Sequence, residues 1–253
     1  MTEIVIHLDT PIEEKSLFEQ SEFQQSFEKP LEDNSLVLKA SNTNYTGNLN
    51  VFYPSGEKYA SYNYADGKQE GGQTTYFKNG NLHTSLSIIN GNYDGKYIIY
   101  YEDGKPKMIS EFDLGQKKES KNYYENGQLI DEAIYKNEGK VVEGIVYYKN
   151  GFVKSSYSFN ESKKEGFFKN YFENENKILE SEGKMIKKNL FTSHKDGLWK
   201  YYHKNGNIKE EGQWGVGGRH GKQNIKMGLW KIYDEAGGFI EEHEYNNLGN
   251  RIK

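Results

Sequence analysis

Apolar and polar residues alternate with a period of two along most of the chain. Tyr97, Ile99 and Tyr101 alternate in this way, and Met108 and Phe112 continue the pattern after a short break. Successive side chains of a β-strand point to opposite faces, so this spacing predicts strands with one face more apolar than the other. A helix would need apolar residues three and four positions apart, uninterrupted by frequent glycines. The pattern therefore predicts a mostly β protein.

A short motif recurs through the chain, made of aromatic residues, a polar pair and a glycine. Its best copies are YFKNG, YYEDG, YYENG and YYKNG. When weaker copies are included, the last position of the motif falls at residues 56, 80, 104, 127, 151, 175, 206 and 237. The spacing is 23 or 24 residues in the first six units and 31 residues in the last two. A fixed period of this length is the signature of a repeat architecture.

Each repeat has the composition of a β-hairpin. Asn-Gly or Asp-Gly occupies the turn in five of the eight copies, and these pairs favour a two-residue type I′ turn. One hairpin is only marginally stable alone, so neighbouring hairpins must cover its apolar face. We therefore expect residues 41–253 to form an elongated antiparallel sheet of stacked hairpins, with about eight units of 24–31 residues.

The first forty residues do not follow the repeat. Ile4, Ile6 and Leu8 alternate like a short strand, and the Thr-Pro-Ile-Glu sequence that follows predicts a helix over residues 11–28. Repeat arrays need end caps that cover an open sheet edge. We expect residues 1–40 to form a small α/β cap; an acidic arm that binds a partner is the alternative.

The composition agrees with a β-rich repeat protein and argues against several kinds of function. Aromatic residues reach 15%, with 21 Tyr among them, and the chain has no cysteine, which excludes disulfides and thiolate metal sites. The formal net charge is −4, and only two of the 33 basic residues are arginine, so nucleic-acid binding is not expected. No apolar run is long enough to cross a membrane and no secretion signal is present, so we expect a cytoplasmic protein.

The residues that usually carry catalysis do not form a recognisable pattern. The six histidines lack metal-binding spacing, and no nucleophile motif or catalytic carboxylate pair stands out. The segment 217–222 resembles a phosphate-binding loop but lacks its first glycine and its Ser or Thr. We therefore expect a protein that is not an enzyme, with no cofactor, no metal and no small-molecule substrate.

The longer period of the last two units inserts seven residues before Gly197 and again before Gly228. Residues 184–195 and 215–227 together contain seven basic residues and no acid, which suggests two basic loops that attract an acidic partner. The alternative is that these loop sequences vary without a function and that lysine is simply common in this chain. Tyr and Trp are favoured at protein interfaces. The candidate partner-binding residues are Lys187, Lys188, Lys195, Trp199, Tyr201, Arg219, Lys222, Lys226 and Trp230.

Two segments carry a family resemblance. GLWKYYHKNGNIKEEGQW (197–214) and GLWKIYDEAGGFIEEHEY (228–245) resemble the MORN-repeat variant of bacterial proteins of the YwqK antitoxin type. They share a glycine, a tryptophan two residues later, a tyrosine, the turn and a second strand. The resemblance covers about 47–249, with tryptophan often replaced. It implies an antiparallel hairpin array, no catalytic residues, and a role as an antitoxin or immunity protein that binds a toxin.

Three function classes remain open. The leading hypothesis is a protein-binding repeat protein that neutralises a partner toxin by direct binding. A scaffold or membrane-associated assembly protein is the alternative, because classical MORN proteins include such roles and the predicted basic loops could contact lipid. An enzyme that uses the aromatic face on carbohydrate is the weakest of the three.

Overall fold

The chain divides into two compact units, Met1–Gly127 and Gln128–Lys253. This computed structural model describes residues 2–12, 16–27, 37–39, 42–136, 140–160, 164–187, 193–217 and 222–253. Only the backbone is described at positions 2, 18, 21, 140, 187, 222 and 223. Both units are mostly β, as the alternation predicts.

The first unit contains a short helix, α1 (Ser21–Ser26), and a sheet of antiparallel hairpins. Its strands are β1 (Thr2–His7), β2 (Val37–Leu38), β3 (Thr43–Asn44), β4 (Gly47–Phe52), β5 (Lys58–Ala65), β6 (Lys68–Tyr76), β7 (Leu82–Ile89), β8 (Asn92–Tyr93), β9 (Gly95–Tyr100), β10 (Pro106–Asp113) and β11 (Gln116–Tyr123). Strands β4 to β7 and then β9 to β11 pair in chain order. Strand β8 pairs with β7, and β2 with β3.

The second unit is a run of strands in which each pairs with the next. They are β12 (Leu129–Lys136), β13 (Lys140–Tyr147), β14 (Val153–Asn160), β15 (Glu165–Tyr171), β16 (Leu179–Lys187), β17 (Ser193–Tyr202), β18 (Ile208–Gly217), β19 (Lys222–Tyr233) and β20 (Phe239–Tyr245). All of these pairs are antiparallel. The predicted antiparallel hairpin repeat is therefore confirmed.

The turn in the recurring motif differs from the predicted type I′. The Gly80 N–H donates to the Phe77 carbonyl, and the Phe77 N–H donates to the Asn81 carbonyl. Gly80 has a φ of +85°, whereas Asn79 keeps a negative φ. This is a type I turn followed by a glycine in the left-handed region, the usual three-residue hairpin connection. Asn-Gly suits both turns, so the dipeptide alone did not distinguish them.

Type I′ turns lie instead at the opposite end of the first unit's strands. Asp66 and Gly67 join β5 to β6 with φ values of 51° and 77°. Asn90 and Gly91, with φ values of 51° and 75°, join β7 to β8 in the same way. Both dipeptides are among those that tolerate two positive φ angles.

Aromatic residues at the start of the turn connect successive hairpins. The Tyr101 hydroxyl donates to the Tyr123 carbonyl at 2.6 Å, and the Tyr148 hydroxyl donates to the Tyr171 carbonyl at 3.0 Å. In a later unit the ring Nε2 of His203 lies 3.0 Å from the Tyr233 carbonyl. His203 therefore takes the place of tyrosine in this contact between hairpins.

The N-terminal segment packs on the sheet of the first unit. Strand β1 runs parallel to β4, with Ile4 opposite Leu49, and Phe23 and Phe27 of the helical segment join the same buried cluster. The predicted helix over 11–28 is wrong in extent, because the α-helix covers only Ser21–Ser26 and a 3₁₀ turn, Leu17–Glu19, precedes it. A capping box lies between Ser16 and Glu19, after the Thr-Pro-Ile-Glu sequence from which the helix was predicted.

The two seven-residue insertions lengthen hairpins instead of forming free loops. Strand β16 continues beside β17 through the pairs Met185–Lys195 and Ile186–His194. Strand β18 continues beside β19 through Trp214–Lys226. The interpretation of 184–195 and 215–227 as loops is therefore wrong at their described residues, all of which lie in strands.

No helix within the described part of the chain is long and apolar enough to cross a membrane.

Candidate functional site

One face of the second unit carries a row of aromatic and small residues, which we call the aromatic face. Residues directly opposite on paired strands share a face of the sheet. From β12 to β20 the row is Ala133, Gly144, Tyr157, Phe168, Gly183, Trp199, Gly212, Trp230 and His243. Four of its aromatic rings therefore have a glycine on a neighbouring strand.

The glycines are required because the rings lie directly on them. A Cβ atom at Gly183 would be 2.4 Å from the Trp199 ring, and one at Gly212 would be 2.3 Å from the Trp230 ring. Each indole N–H then reaches the next backbone carbonyl, at 2.8 Å for Trp199 to Lys184 and 3.1 Å for Trp230 to Gln213. Gly183 lies two positions further from the start of its turn than Gly212 does, because the Phe172 N–H donates to the Ile178 carbonyl and that turn is two residues longer.

Two lysines cover the tryptophans from the solvent side. The Lys226 Nζ lies 3.8 Å from the centre of the Trp230 ring, and the Lys195 Nζ lies 4.6 Å from that of Trp199. Lys195 is also 4.9 Å from the ring of Trp214. An ammonium group over an aromatic face is attracted by the ring quadrupole. Trp199 is only 2% exposed and Trp230 is fully buried.

Hydrogen bonds hold the two lysines in place, and burial shifts the pKa of Lys195 and of Tyr201. Lys195 donates to the Tyr201 hydroxyl at 2.8 Å, and Lys226 donates to a Glu210 carboxylate oxygen at 2.8 Å. Burial lowers the pKa of Lys195, with nearby Glu210 opposing and Lys226 adding to that shift. Burial also raises the pKa of Tyr201 to about 12. Tyr201 therefore remains a neutral phenol at neutral pH.

The structure brings together five of the candidate residues: Lys195, Trp199, Tyr201, Lys226 and Trp230. It buries the two tryptophan rings, so a partner would meet the lysine head groups and the edges of Tyr201. Lys188 and Arg219 lie outside the described residues, as do the side chains of Lys187 and Lys222. Glu210 and Trp214 belong to the cluster but were not among the candidates.

Two lysines of the basic segments form ion pairs with acids on neighbouring strands. Lys184 lies 2.7 Å from Asp196 and 3.8 Å from Glu165, and its pKa is raised by the hydrogen bond to Asp196. Lys226 pairs with Glu210. The acids lie outside 184–195 and 215–227 in sequence, so counting charges within those segments missed them.

The opposite side of the second unit carries a row of charges, which we call the charged face. From β15 to β20 the residues directly opposite one another are Lys169, Glu182, Lys200, Glu211, Lys231 and Glu242. The sign alternates at every strand. Lys169 and Glu182 lie 3.9 Å apart, and Tyr202 and Tyr233 donate to Glu182 and Glu211 at 2.6 and 3.0 Å.

Three apolar side chains border this row on the same face. Phe167, Leu198 and Leu229 each follow the first glycine of a repeat, and they are 47%, 49% and 51% exposed. Each lies two residues before a lysine of the charged row. Neither feature was predicted, although these three repeats have Phe or Leu and then Lys at the same two places in the sequence.

Comparison with protein families supports the repeat assignment. Residues 93–113, 117–137 and 195–214 match the family model described as the MORN repeat variant. The chain carries MORN-type repeats in these three segments. MORN repeats generally serve as protein- or membrane-binding modules. No curated protein matches the chain.

Similarity to solved structures is weak. A mutant of S. aureus TarM in complex with fondaparinux, α-GlcNAc-glycerol and UDP has a TM-score of 0.26 and 11% identity, over 35% of this chain and 18% of that one. The GtfA/B complex gives 0.24 and 17%, over 34% and 19%. The Photorhabdus luminescens Tc holotoxin pore gives 0.15 and 11%, over 85% and 15%. The chain thus spans less than a fifth of each, and at such TM-scores these similarities support no argument.

The described residues contain no group of three or more His, Asp or Glu side chains arranged to hold a metal ion.

Proposed function

We propose that this chain is a non-catalytic, cytoplasmic binding protein of the antitoxin or immunity type, which neutralises a toxin by direct contact. The observation that carries the proposal is the set of three MORN-variant segments in a framework whose rings are largely used for its own packing. Trp199 and Trp230 lie on glycines and under lysines. They stabilise the sheet and so hold the surface residues in a fixed arrangement.

The lysine head groups above the tryptophans are the proposed contact points on the aromatic face. Lys195 and Lys226 are held by an aromatic base and by Tyr201 or Glu210. A cation that is already positioned loses little conformational freedom on binding. An acidic surface on the toxin would complement it and would be steered toward it.

The test is co-expression with the product of the neighbouring gene. We expect the toxin alone to stop growth, co-expression to restore it, and the two chains to co-purify as a complex. Lys195→Gln with Lys226→Gln is expected to weaken the complex, and Lys149→Gln with Lys204→Gln, in exposed turns, is the matched control. A neighbouring product that neither binds the chain nor is neutralised by it would contradict the proposal.

A membrane-associated scaffold is the second candidate, and the observation that favours it is the lysine content of the two lengthened hairpins. Flotation with vesicles containing anionic lipid tests it. Lys→Glu changes at 187, 188, 222 and 226 should abolish flotation if these hairpins bind lipid. Flotation that is unchanged in this variant would exclude the lengthened hairpins as the lipid-binding site.

A further inference from the structure

We propose that the charged face of the second unit binds the same face of a second copy of this chain, giving a two-fold symmetric dimer. The proposal rests on the order of charges and on the three exposed apolar residues beside them. It does not depend on the proposed toxin binding, since it concerns the chain alone.

The charge order is complementary to itself when reversed. Six positions of alternating sign begin with Lys169 and end with Glu242. A two-fold axis parallel to the strands reverses strand order in the facing copy. With the axis between β17 and β18, every lysine faces a glutamate.

The resulting pairs are specific. Lys200 would face Glu211 of the second copy, Lys169 would face Glu242 of the second copy, and Lys231 would face Glu182 of the second copy. An axis placed on a single strand would instead set like charges opposite one another. Like charges in contact disfavour an interface strongly enough to decide between registers. The row therefore selects one register of the two sheets.

The same axis also determines which strands of the second copy the three apolar residues face. Phe167, Leu198 and Leu229 lie on β15, β17 and β19, which are alternate strands about 10 Å apart. In the facing copy the axis brings their equivalents over β20, β18 and β16. The residues opposite them on those strands are Glu244, Gln213 and Lys184, so each apolar side chain would cover the aliphatic part of a polar side chain of the second copy. Charge pairing along the row of lysines and glutamates therefore selects the arrangement, and the apolar residues add area that is removed from water.

Side chains on this face are ordered before any association. Tyr202 and Tyr233 hold Glu182 and Glu211 by hydrogen bonds, so these carboxylates lose little freedom when a partner arrives. The exposure of Leu198 and Leu229, about half in each case, leaves apolar area that a second copy would remove from water.

The experiment measures mass against concentration by light scattering and sedimentation. We expect the wild-type chain to form a dimer that weakens as salt rises, because surface ion pairs are screened. Replacing Lys169, Lys200 and Lys231 by Glu makes the row wholly acidic and should give a monomer. Replacing Glu182, Glu211 and Glu242 by Lys makes it wholly basic and should also give a monomer. Mixing these two variants should restore a one-to-one complex.

Two further variants separate the proposal from a simple effect of net charge or folding. Lys149→Glu, Lys177→Glu and Lys204→Glu together make the same charge change at exposed turn positions and should leave the dimer intact. Leu198→Ser with Leu229→Ser should weaken dimerisation at least tenfold while the circular dichroism spectrum stays unchanged. A wild-type monomer at the highest concentration, or a dimer that survives the acidic variant, would overturn the proposal.

Discussion

The two units use the same hairpin but cover its apolar positions in different ways. In the first unit, Leu49 lies in one buried cluster with Phe23 and Phe27 of the N-terminal segment. At the same repeat position in the second unit, Trp199 lies on a glycine and is covered by Lys195. A smaller aliphatic residue needs another layer to bury it, whereas a tryptophan and a lysine from the same sheet can cover each other.

The opposite faces differ as well. The row of the first unit that corresponds to the charged face is almost neutral: Asn50, Ser61, Thr74, Ser85, Ile98, Ile109 and Lys121. In the second unit six charges of alternating sign stand in that row. Turn geometry and strand pairing are common to both units. The hairpin framework therefore constrains the residues of the turns, whereas the residues on the two faces of the sheet can differ between units.

The largest predicted effect is the loss of the N-terminal packing in the first unit. Phe27 is 1% exposed, and Phe27→Ala should lower the free energy of unfolding by about 4 kcal/mol through lost burial and the cavity left behind. Chemical denaturation followed by circular dichroism measures it. Phe239→Ala, at a residue 59% exposed in the second unit, is the control and should cost about 0.5 kcal/mol. Equal losses would mean that the N-terminal segment is not part of the core.

The second prediction concerns the glycines beneath the tryptophans. Gly212→Ala should destabilise the second unit by about 3 kcal/mol, because the new methyl group overlaps the buried Trp230 ring. All three tryptophans, Trp199, Trp214 and Trp230, lie in the second unit, so fluorescence reports on that unit. A Cβ atom at Gly72 in the first unit would meet only the Asn63 Nδ2, in ordinary contact at 3.9 Å, so Gly72→Ala should be nearly neutral. If both variants behave alike, the rings do not depend on the glycines.

The third prediction is a loss of stability in alkali that both units share. Burial raises the pKa of Tyr45 in the first unit and of Tyr201 in the second to about 12. The unfolded chain loses these protons near pH 10, so stability is complete below pH 10 and falls as pH rises toward 12, by roughly 2 kcal/mol for fully buried Tyr45. Denaturation midpoints between pH 9 and 12 measure this fall. In the Tyr201→Phe variant, the fall in stability of the second unit between pH 9 and 12, followed by tryptophan fluorescence, should be smaller. An unchanged pH profile would show that Tyr201 does not cause it.

The smallest prediction tests what the units have in common. Tyr101→Phe in the first unit and Tyr148→Phe in the second each remove one hydroxyl that bonds to the next hairpin. Each should cost about 1 kcal/mol, the usual net value of one hydrogen bond. Phe77 lacks a hydroxyl at the same repeat position, so Phe77→Tyr is the reverse test. A large difference between Tyr101→Phe and Tyr148→Phe would show that the turns are not equivalent in the two units.

Much of this architecture was predictable from local spacing. The period of 24 residues and the alternation around Tyr97 and Met108 predicted the hairpins, because side-chain direction and turn preference are local properties. The same local signals gave the wrong turn type at Asn79 and a helix that is too long after Pro11. In both places one short sequence is compatible with two backbone conformations, and packing chose between them.

The candidate site was predictable only in part. Lys195, Trp199 and Trp230 were chosen from charge and ring type, and the structure does bring them together. Their burial was not predictable, because it depends on Gly183 and Gly212, which lie on neighbouring strands. The ion pair of Lys226 with Glu210 likewise joins residues 16 positions apart.

The sequence by itself determined the repeat, its hairpins and the absence of cysteine chemistry, since these depend on residues close together in the chain. The tertiary structure decided which residues meet across strands: the glycine beneath each tryptophan, the lysine above it, and the alternating charges on the other face. Strand register sets those meetings, and register is the joint result of many backbone hydrogen bonds, which no single segment of the sequence contains.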